Sequence, residues 1–554
     1  MLKQSQLAQA VILFLLPVPL MAQTYSKTEV ITYHDNTTKW VLGQTATVTC
    51  VSGMPASTGC DNNAGNGSDT VSSTTFDATT ALPLTTSAFG KLRSTTTYNG
   101  DGTTATIKDG NNKITTLSNW KRGIPQMVLF ADNTSISAVV NDKGWIESVT
   151  DENGIGFTSS YGYDSMGRTS SITYPIGDAV SWTSTTRSLV PVASVEYGIA
   201  AGHWRETVTT GNAVKITYYD AMWRPLLVRE YDSANVSGTE RFTKTAYDTE
   251  GRVAFAAYPT SSVIYAAEQE ADTGVSTYYD PLGRVTSVSQ DSDGGTVLTT
   301  LTTYNTGFTT TVTNPRGYST TSTYLTFDQP GTDWPLVINA PESATTTIAR
   351  DTFGKPTSMT RSGGGVTPVV RSYAYYGSQE LCRTVEPETG ATLFGYDAVG
   401  NLTWSASGLA SSTACLSAYN STPTAAINAR KASRTYDNRN RLLTLAFPDS
   451  NGNQTWTYTP DGLPSTVSTN NITGGVSNAV TNGYTYNKRR LLTGESMKPD
   501  TVQLGWGIGY GYNGLAQVVS EAYPASVSVN YTVNALGQTT QVTASSDGGA
   551  ATTI

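Results

Sequence analysis

The clearest signal along the chain is alternation with a period of two. Around one representative turn, Thr277 and Tyr279 precede and Val285 and Ser287 follow on one phase, while Tyr278, Thr286 and Val288 occupy the other. A period of two sends successive side chains to opposite faces of a strand, so these segments predict β-strands. Between them stands Tyr-Asp, two variable residues, then Gly-Arg, intact at Tyr163–Arg168, Tyr247–Arg252 and Tyr279–Arg284. Asp at the first position of a tight turn accepts hydrogen bonds from the backbone two residues on, and Gly at the fourth supplies the φ > 0 that closes it. Each copy therefore predicts a hairpin tip, with successive hairpins side by side in one continuous sheet. The same reading expects each Tyr to stack on the Tyr of the next unit and each Arg to face the neighbouring unit's Asp.

The motif repeats, and repeats decide architecture. Tyr396-Asp397-Ala398-Val399-Gly400-Asn401 differs only at its end. Weaker copies are Tyr219-Asp220 with Arg224, Phe327-Asp328 with Gly331, Tyr436-Asp437 with Arg441, and Tyr512-Asn513. Little more than the turn survives at Asp351–Lys355, Pro460–Leu463, Tyr486-Asn487 before Arg490, and Asn534–Gln538, while Asp142-Lys143-Gly144-Trp145 reads as a diverged first tip.

Composition sharpens this picture. A chain of 554 residues exceeds one ordinary domain, so several domains or one long repetitive architecture is expected. Charged residues make up 14%, against about 25% in a typical soluble protein. Thr, Ser, Asn, Gly and Tyr fill the deficit. These types favour strands and turns over helix interiors, and the predicted class is all-β. An aromatic content of 10% argues against disorder. With 35 basic and 43 acidic residues the net charge is −8, which excludes nucleic-acid binding by bulk charge.

Residues 1–22 read as a secretory signal peptide: a short positive start at Lys3, an apolar run from Ala10 to Ala22, and small Ala22 before Gln23. That run is too short to span a bilayer, no later stretch approaches the needed length, and an exported, secreted or cell-surface protein is expected. Cys50, Cys60, Cys382 and Cys415 are the only cysteines. Proximity favours pairing 50 with 60 and 382 with 415, the alternative being free buried thiols. The expected organisation is signal peptide 1–22, a β-rich entry region 23–115 containing the Asn62–Gly67 stretch, repeats over 116–545, and a tail 546–554. Linker-like insertions are expected at Gly363–Gly365 and Gly408–Thr424.

The spaced Tyr-Asp-x-x-Gly-Arg copies resemble the repeat of the Rhs or YD-repeat family, which includes wall-associated bacterial proteins, insecticidal toxin-complex C components and teneurin shells. The resemblance covers about Lys121 to Gln541. It implies a long β-sheet spiralling into a hollow, β-solenoid-like shell that in complete members encloses a variable C-terminal toxin. The core segment and effector domain that follow the repeats in complete members are not seen here, and the autoproteolytic aspartates of some members belong to that core, so none is carried over. A sheet that stops leaves an open edge, so either a further polypeptide covers it or the chain is the front of a longer product.

Candidate chemistry is thin. His203 in Gly202-His203-Trp204-Arg205 is a conceivable general base, set against a packed turn histidine. Carboxylate pairs Asp151-Glu152, Glu230 with Asp232, and Glu386 with Glu388 have the composition of a glycosidase site but not its defined separation. Asp291–Gly295 and Asp449–Asn453 cluster oxygen ligands yet lack the spacing and closing Glu of a calcium loop. Trp404, Trp456 and Trp506 are either core or platforms for sugars or proteins. No catalytic, cofactor or metal residue is therefore assigned. The expected function is a non-enzymatic shell or scaffold of an exported Rhs-type toxin system, whose partners are a toxin cargo or a downstream Rhs core polypeptide. The alternative is a standalone adhesin-like surface protein binding a cell-surface glycan or protein.

Overall fold

A computed structural model describes residues 27–53, 60, 69–263, 265, 273–327, 331–500, 505–546 and 552–553. The expected signal peptide, the Asn62–Gly67 stretch, Asp328 and most of the 546–554 tail lie outside these residues. The described chain forms one 41-stranded sheet. From Lys27–Asn36 to Thr552–Thr553, each strand pairs antiparallel with the strand next to it in sequence. Helix is confined to single turns at Ile155–Phe157, Val236–Thr239 and Ala425–Asn428.

The tips follow the predicted turn chemistry. In the tip after Tyr279, Asp280 Oδ1 accepts from the backbone N–H of Leu282 and of Arg284, both at 2.9 Å. The Gly283 N–H donates to the Asp280 carbonyl, and Gly283 sits at φ +80°. Degenerate copies keep this geometry without glycine: Trp223, Gln379, Asn440, Arg490 and Ala516 all adopt φ between 59° and 74° at the equivalent place. The turn also inserts a bulge, since Tyr278 pairs with Ser287 but Tyr279 pairs with Val285. Similar shifts accompany Tyr163, Tyr247, Tyr375, Tyr436, Tyr458 and Tyr512. A bulge offsets the two arms by one residue, so a single two-residue phase does not run through the tip. Thr277 in fact lies opposite Val288, and Tyr278 opposite Ser287.

Of two expected contacts, the Tyr–Tyr stack is replaced and the Arg-to-neighbouring-Asp contact forms at some tips only. The motif arginines turn back on their own aspartates: Nε of Arg168, Arg224, Arg252, Arg284 and Arg441 donates to Oδ2 of Asp164, Asp220, Asp248, Asp280 and Asp437 at 2.6–2.7 Å. The neighbouring unit is reached as well by Arg252, which donates to the Asp280 carbonyl at 3.2 Å, and by Arg490, which pairs with Asp461 at 3.2 Å. The motif tyrosines do not form a continuous Tyr–Tyr stack. Most of their hydroxyls donate to the carbonyl that opens the strand after the preceding tip, as in Tyr279 to Val253, Tyr304 to Val285, Tyr436 to Leu402 and Tyr458 to Leu442, at 2.7–3.1 Å, whereas Tyr219 donates to Glu206 at 3.0 Å. The previous unit's arginine lies over the ring, with Arg224, Arg252, Arg284 and Arg441 guanidinium carbons 4.1–4.8 Å from the centroids of Tyr247, Tyr279, Tyr304 and Tyr458. The hydroxyl gains an acceptor, and the ring face gains a cation.

At Gly283, replacement by Val puts a β-branched residue at positive φ and is expected to cost about 1 to 3 kcal/mol. Leu282→Val, at a neighbouring position that is 78% exposed, is expected to be near neutral. A urea melt of the two variants checks this; equal, negligible effects would contradict the turn assignment.

The meander coils back on itself. Counting from Lys27–Asn36 as the first strand, the turn after the fourth strand meets the tip after the twenty-seventh, through Lys91 Nζ and Glu380 Oε1 at 2.6 Å. The turn after the sixth meets the tip after the twenty-ninth, where Asn111 donates to Asp397 at 2.8 Å. The eighth and thirty-first meet through Arg441 and Asp132 at 3.1 Å, and the twelfth and thirty-fifth through the Lys488 N–H and Asp178. The sixteenth and thirty-ninth meet through the Ala535 N–H and Asp232 Oδ2 at 2.8 Å. The offset is twenty-three strands each time, although the residue separation of these and adjacent contacts runs from 286 to 331. Strand count, not residue count, sets the winding.

At roughly 4.8 Å per strand, one revolution has a circumference of about 110 Å before tilt and a diameter of about 35 Å. Facing sheets in contact sit only about 10 Å apart, so this winding leaves a lumen. Buried packing among the described residues is local. One apolar cluster joins Ile199, Val214, Ile216, Tyr218, Leu227 and Phe242, and another joins Ala391, Leu393, Trp404, Ala406, Leu409 and Ile427.

The second cluster explains the longer insertion. After Leu409 the chain leaves the sheet and returns through Ala425–Asn428, burying Ile427. Cys415 in this segment is bonded to Cys382 on the sheet, and Cys50 is bonded to Cys60, so both proximity pairings are formed. Gly363–Gly365 is not a linker but the turn between strands Pro356–Gly363 and Val366–Tyr375, with Gly364 and Gly365 at positive φ.

Candidate functional site: the seam and the sheet faces

Every Tyr-Asp-type tip lies on one edge of the sheet, because it always joins an odd-numbered strand to the next even one. Tips of the second revolution rest on the opposite-edge turns of the first, and this seam is rich in carboxylates. Glu152 Oε1 accepts from Arg439 Nη2 at 2.8 Å, and its side chain is 6% exposed. Asp109 Oδ2 accepts from the Asn440 amide at 2.9 Å. Lys488 Nζ donates to the Ile176 carbonyl at 2.6 Å, and the Arg489 guanidinium lies 3.7 Å from the centroid of Tyr174.

Electrostatics follow these contacts. Burial raises the pKa of Asp132, but hydrogen bonds from Thr134 and the charges of Arg439 and Arg441 outweigh it and hold the carboxyl below its ordinary value. For Asp151, burial first, and then the charges of Asp461 and Glu152, outweigh the hydrogen bond from Asn153 and push it up. Among the ladder tyrosines, burial pushes up Tyr247, Tyr436 and Tyr458, and takes Tyr396 to about 12. A phenol raised in the fold favours the protonated form there. Its stabilisation is therefore complete below the ordinary value near 10 and is lost as pH climbs from there to about 12. Absorbance titration is expected to show a late-ionising tyrosine class that disappears in urea; a single class near 10 would contradict the ladder.

The weighed acids and histidine fall apart as catalytic sets. His203 is buried, with Nδ1 2.9 Å from the Ala200 carbonyl and its ring against Tyr218. Its Nε2 is 3.5 Å from Glu196, which already binds Arg205 at 2.6 Å. Asp151 and Glu152 belong to the seam. Glu230 pairs with Arg241 at 2.9 Å, whereas neighbouring Asp232 holds the Ala535 N–H. Glu386 and Glu388 share Arg371. Asp291 accepts from the Gly274 N–H across the paired strand at 2.9 Å, and Asp449 from the Asn451 N–H within its own turn at 3.1 Å, so each is spent on a backbone donor. Among the described residues no group of three or more His, Cys, Asp or Glu is placed to hold a metal, and no helix is long and apolar enough to cross a membrane.

The three tryptophans separate. Trp404 is buried under the insertion, Trp456 is half-buried, and Trp506 is 49% exposed. Trp506 lines an open cavity of 410 Å³ with Asn482, Tyr484, Glu495, Met497 and Tyr523. A 490 Å³ cavity lies beside Arg284, Tyr304, Phe308 and Tyr324. Sequence reading paired no carboxylate with its seam partner, since nothing local marks a contact some 300 residues away.

These features define a class: a single antiparallel sheet of tip-registered hairpins wound into a spiral. No family model matches the chain, and no curated protein does. Among solved structures, the chain is similar to one of the Photorhabdus luminescens Tc holotoxin pore, at 12% identity and TM-score 0.47, over 87% of this chain and 26% of that one. It is also similar to a crystal structure of TcdB2–TccC3, at 12% identity and TM-score 0.38, over 94% of this chain and 40% of that one. The chain thus spans well under half the length of either.

Proposed function

We propose that this chain is a wall segment of an exported Rhs-type shell, a non-enzymatic scaffold that houses, delivers or displays a toxin polypeptide carried in a further segment or a partner. The recurring offset of twenty-three strands carries the reading, because it registers the tips of the second revolution on the turns of the first and so builds a wall around a lumen. The tips that meet this seam are the degenerate copies of the second revolution, around Glu380, Asp397, Arg441, Lys488 and Ala535. Intact mass measured on cell, envelope and medium fractions of the native source tests the proposal. The expected result is an exported species that carries additional polypeptide, covalently or in a complex released only by denaturant. Finding only the 58.8 kDa chain, or that chain less its first 22 residues, without bound polypeptide in every fraction would contradict it. A second reading, display of a binding surface toward another cell, is favoured by the open aromatic cavity at Trp506.

A further inference from the structure

The strand Trp506–Tyr512 reads Trp-Gly-Ile-Gly-Tyr-Gly-Tyr. Alternation sends Trp506, Ile508, Tyr510 and Tyr512 to one face and leaves glycine on the other. Register then assembles the neighbours: Met497 lies opposite Trp506 and Asn482, Glu495 opposite Ile508 and Tyr484, and Glu521 opposite Tyr510. The result is the 410 Å³ cavity, with Trp506, Met497 and Tyr523 well exposed around it.

Two carboxylates belong to this face, and both are anchored by phenols rather than by cations. Tyr510 donates its hydroxyl to Glu495 Oε1 at 2.7 Å, and the Tyr523 hydroxyl donates to Glu521. No Lys or Arg lines the cavity, and among the described residues neither glutamate is in an ion pair. The opening thus combines aromatic faces, a soft thioether and uncompensated negative charge.

We infer that this cavity binds a quaternary or N-methylated ammonium group. Such a cation is weakly hydrated, is attracted to the faces of Trp and Tyr, and gains further from a carboxylate it need not strip of its hydrogen bond. A neutral sugar stacks on Trp506 but takes nothing from the excess charge, and a metal ion takes nothing from the aromatic faces. The ammonium group is that of free choline or of a choline lipid headgroup.

Titration of the full chain with choline chloride, followed by calorimetry with sodium chloride as the ionic-strength control, tests the site. Saturable binding is expected, weakened about tenfold in Trp506→Ala and in Glu495→Gln. Glu495→Gln keeps the shape and the Tyr510 acceptor, so an unchanged thermal melt separates lost charge from lost fold. Competition by phosphatidylcholine vesicles would place the group on a lipid, and its absence would leave the free cation as ligand. No saturation by choline, equal affinity in Glu495→Gln, or saturation by a neutral glucoside in place of choline would overturn the assignment.

Discussion

Replacing Arg439 by Met is expected to destabilise the protein by about 3 kcal/mol and to loosen the sheet at two places far apart in sequence. Arg439 bonds Glu152, whose side chain is almost fully enclosed, and also donates to the Pro460 carbonyl while lying over the Phe130 ring. Removing one partner of an enclosed ion pair leaves an uncompensated charge, which costs far more than the pair itself contributes. Glu152→Gln in the same background should recover part of the loss, and the double-mutant cycle should give a coupling above about 1 kcal/mol. Hydrogen exchange should quicken both in the turn around Glu152 and in the tip Asp437–Arg441. Independent, additive effects confined to one revolution would contradict the seam.

Leu393→Ala carries the second large effect, a loss of about 2 to 5 kcal/mol. Leu393 is fully buried among Ala391, Trp404, Ala406, Leu409 and Ile427, where a cavity cannot collapse against a rigid strand pair. Because Cys382–Cys415 and Ile427 dock the insertion at this place, the variant should also free residues 410–424 to protease. Leu301→Ala, on a half-exposed strand position, is the comparison and should cost well under 1 kcal/mol. Equal chemical-denaturation midpoints for the two variants would show that the cluster is not the local core.

Much of the fold was legible because turn chemistry is local. Asp280, Gly283 and Arg284 carry the tip in their own side chains and backbone, and the period of two on either side needs no distant partner. One contact was misread, and another read only in part, for the same reason. Arg284 meets its own Asp280 because the bulged turn folds the chain over four residues, a geometry that alternation does not encode. Tyr279 reaches the Val253 carbonyl because successive hairpins place that acceptor under the hydroxyl, leaving Arg252 rather than another tyrosine over the ring.

The seam was not legible at all. Asp132, Glu152 and Asp232 look like ordinary turn acids, and their partners depend on how tilt and twist accumulate over twenty-three strands. Between the two extremes stand the tryptophans. Gly395, just before Tyr396, leaves room that a Cβ would take from the Trp404 indole, at 2.1 Å from Nε1, so glycine at that place was a signal for a buried neighbour. The glycines at 507, 509 and 511 carried the converse signal, one bare face and one crowded aromatic face.

Small-angle X-ray scattering of the chain in dilute solution tests the winding most directly. A 41-stranded meander that did not coil would be a ribbon about 190 Å long at roughly 4.8 Å per strand. Wound as described, its largest dimension should stay below about 100 Å, and its pair-distance distribution should be that of a hollow body about 35 Å across in its sheet mid-plane. A maximum dimension near the ribbon length, with a rod-like cross-section, would contradict the spiral.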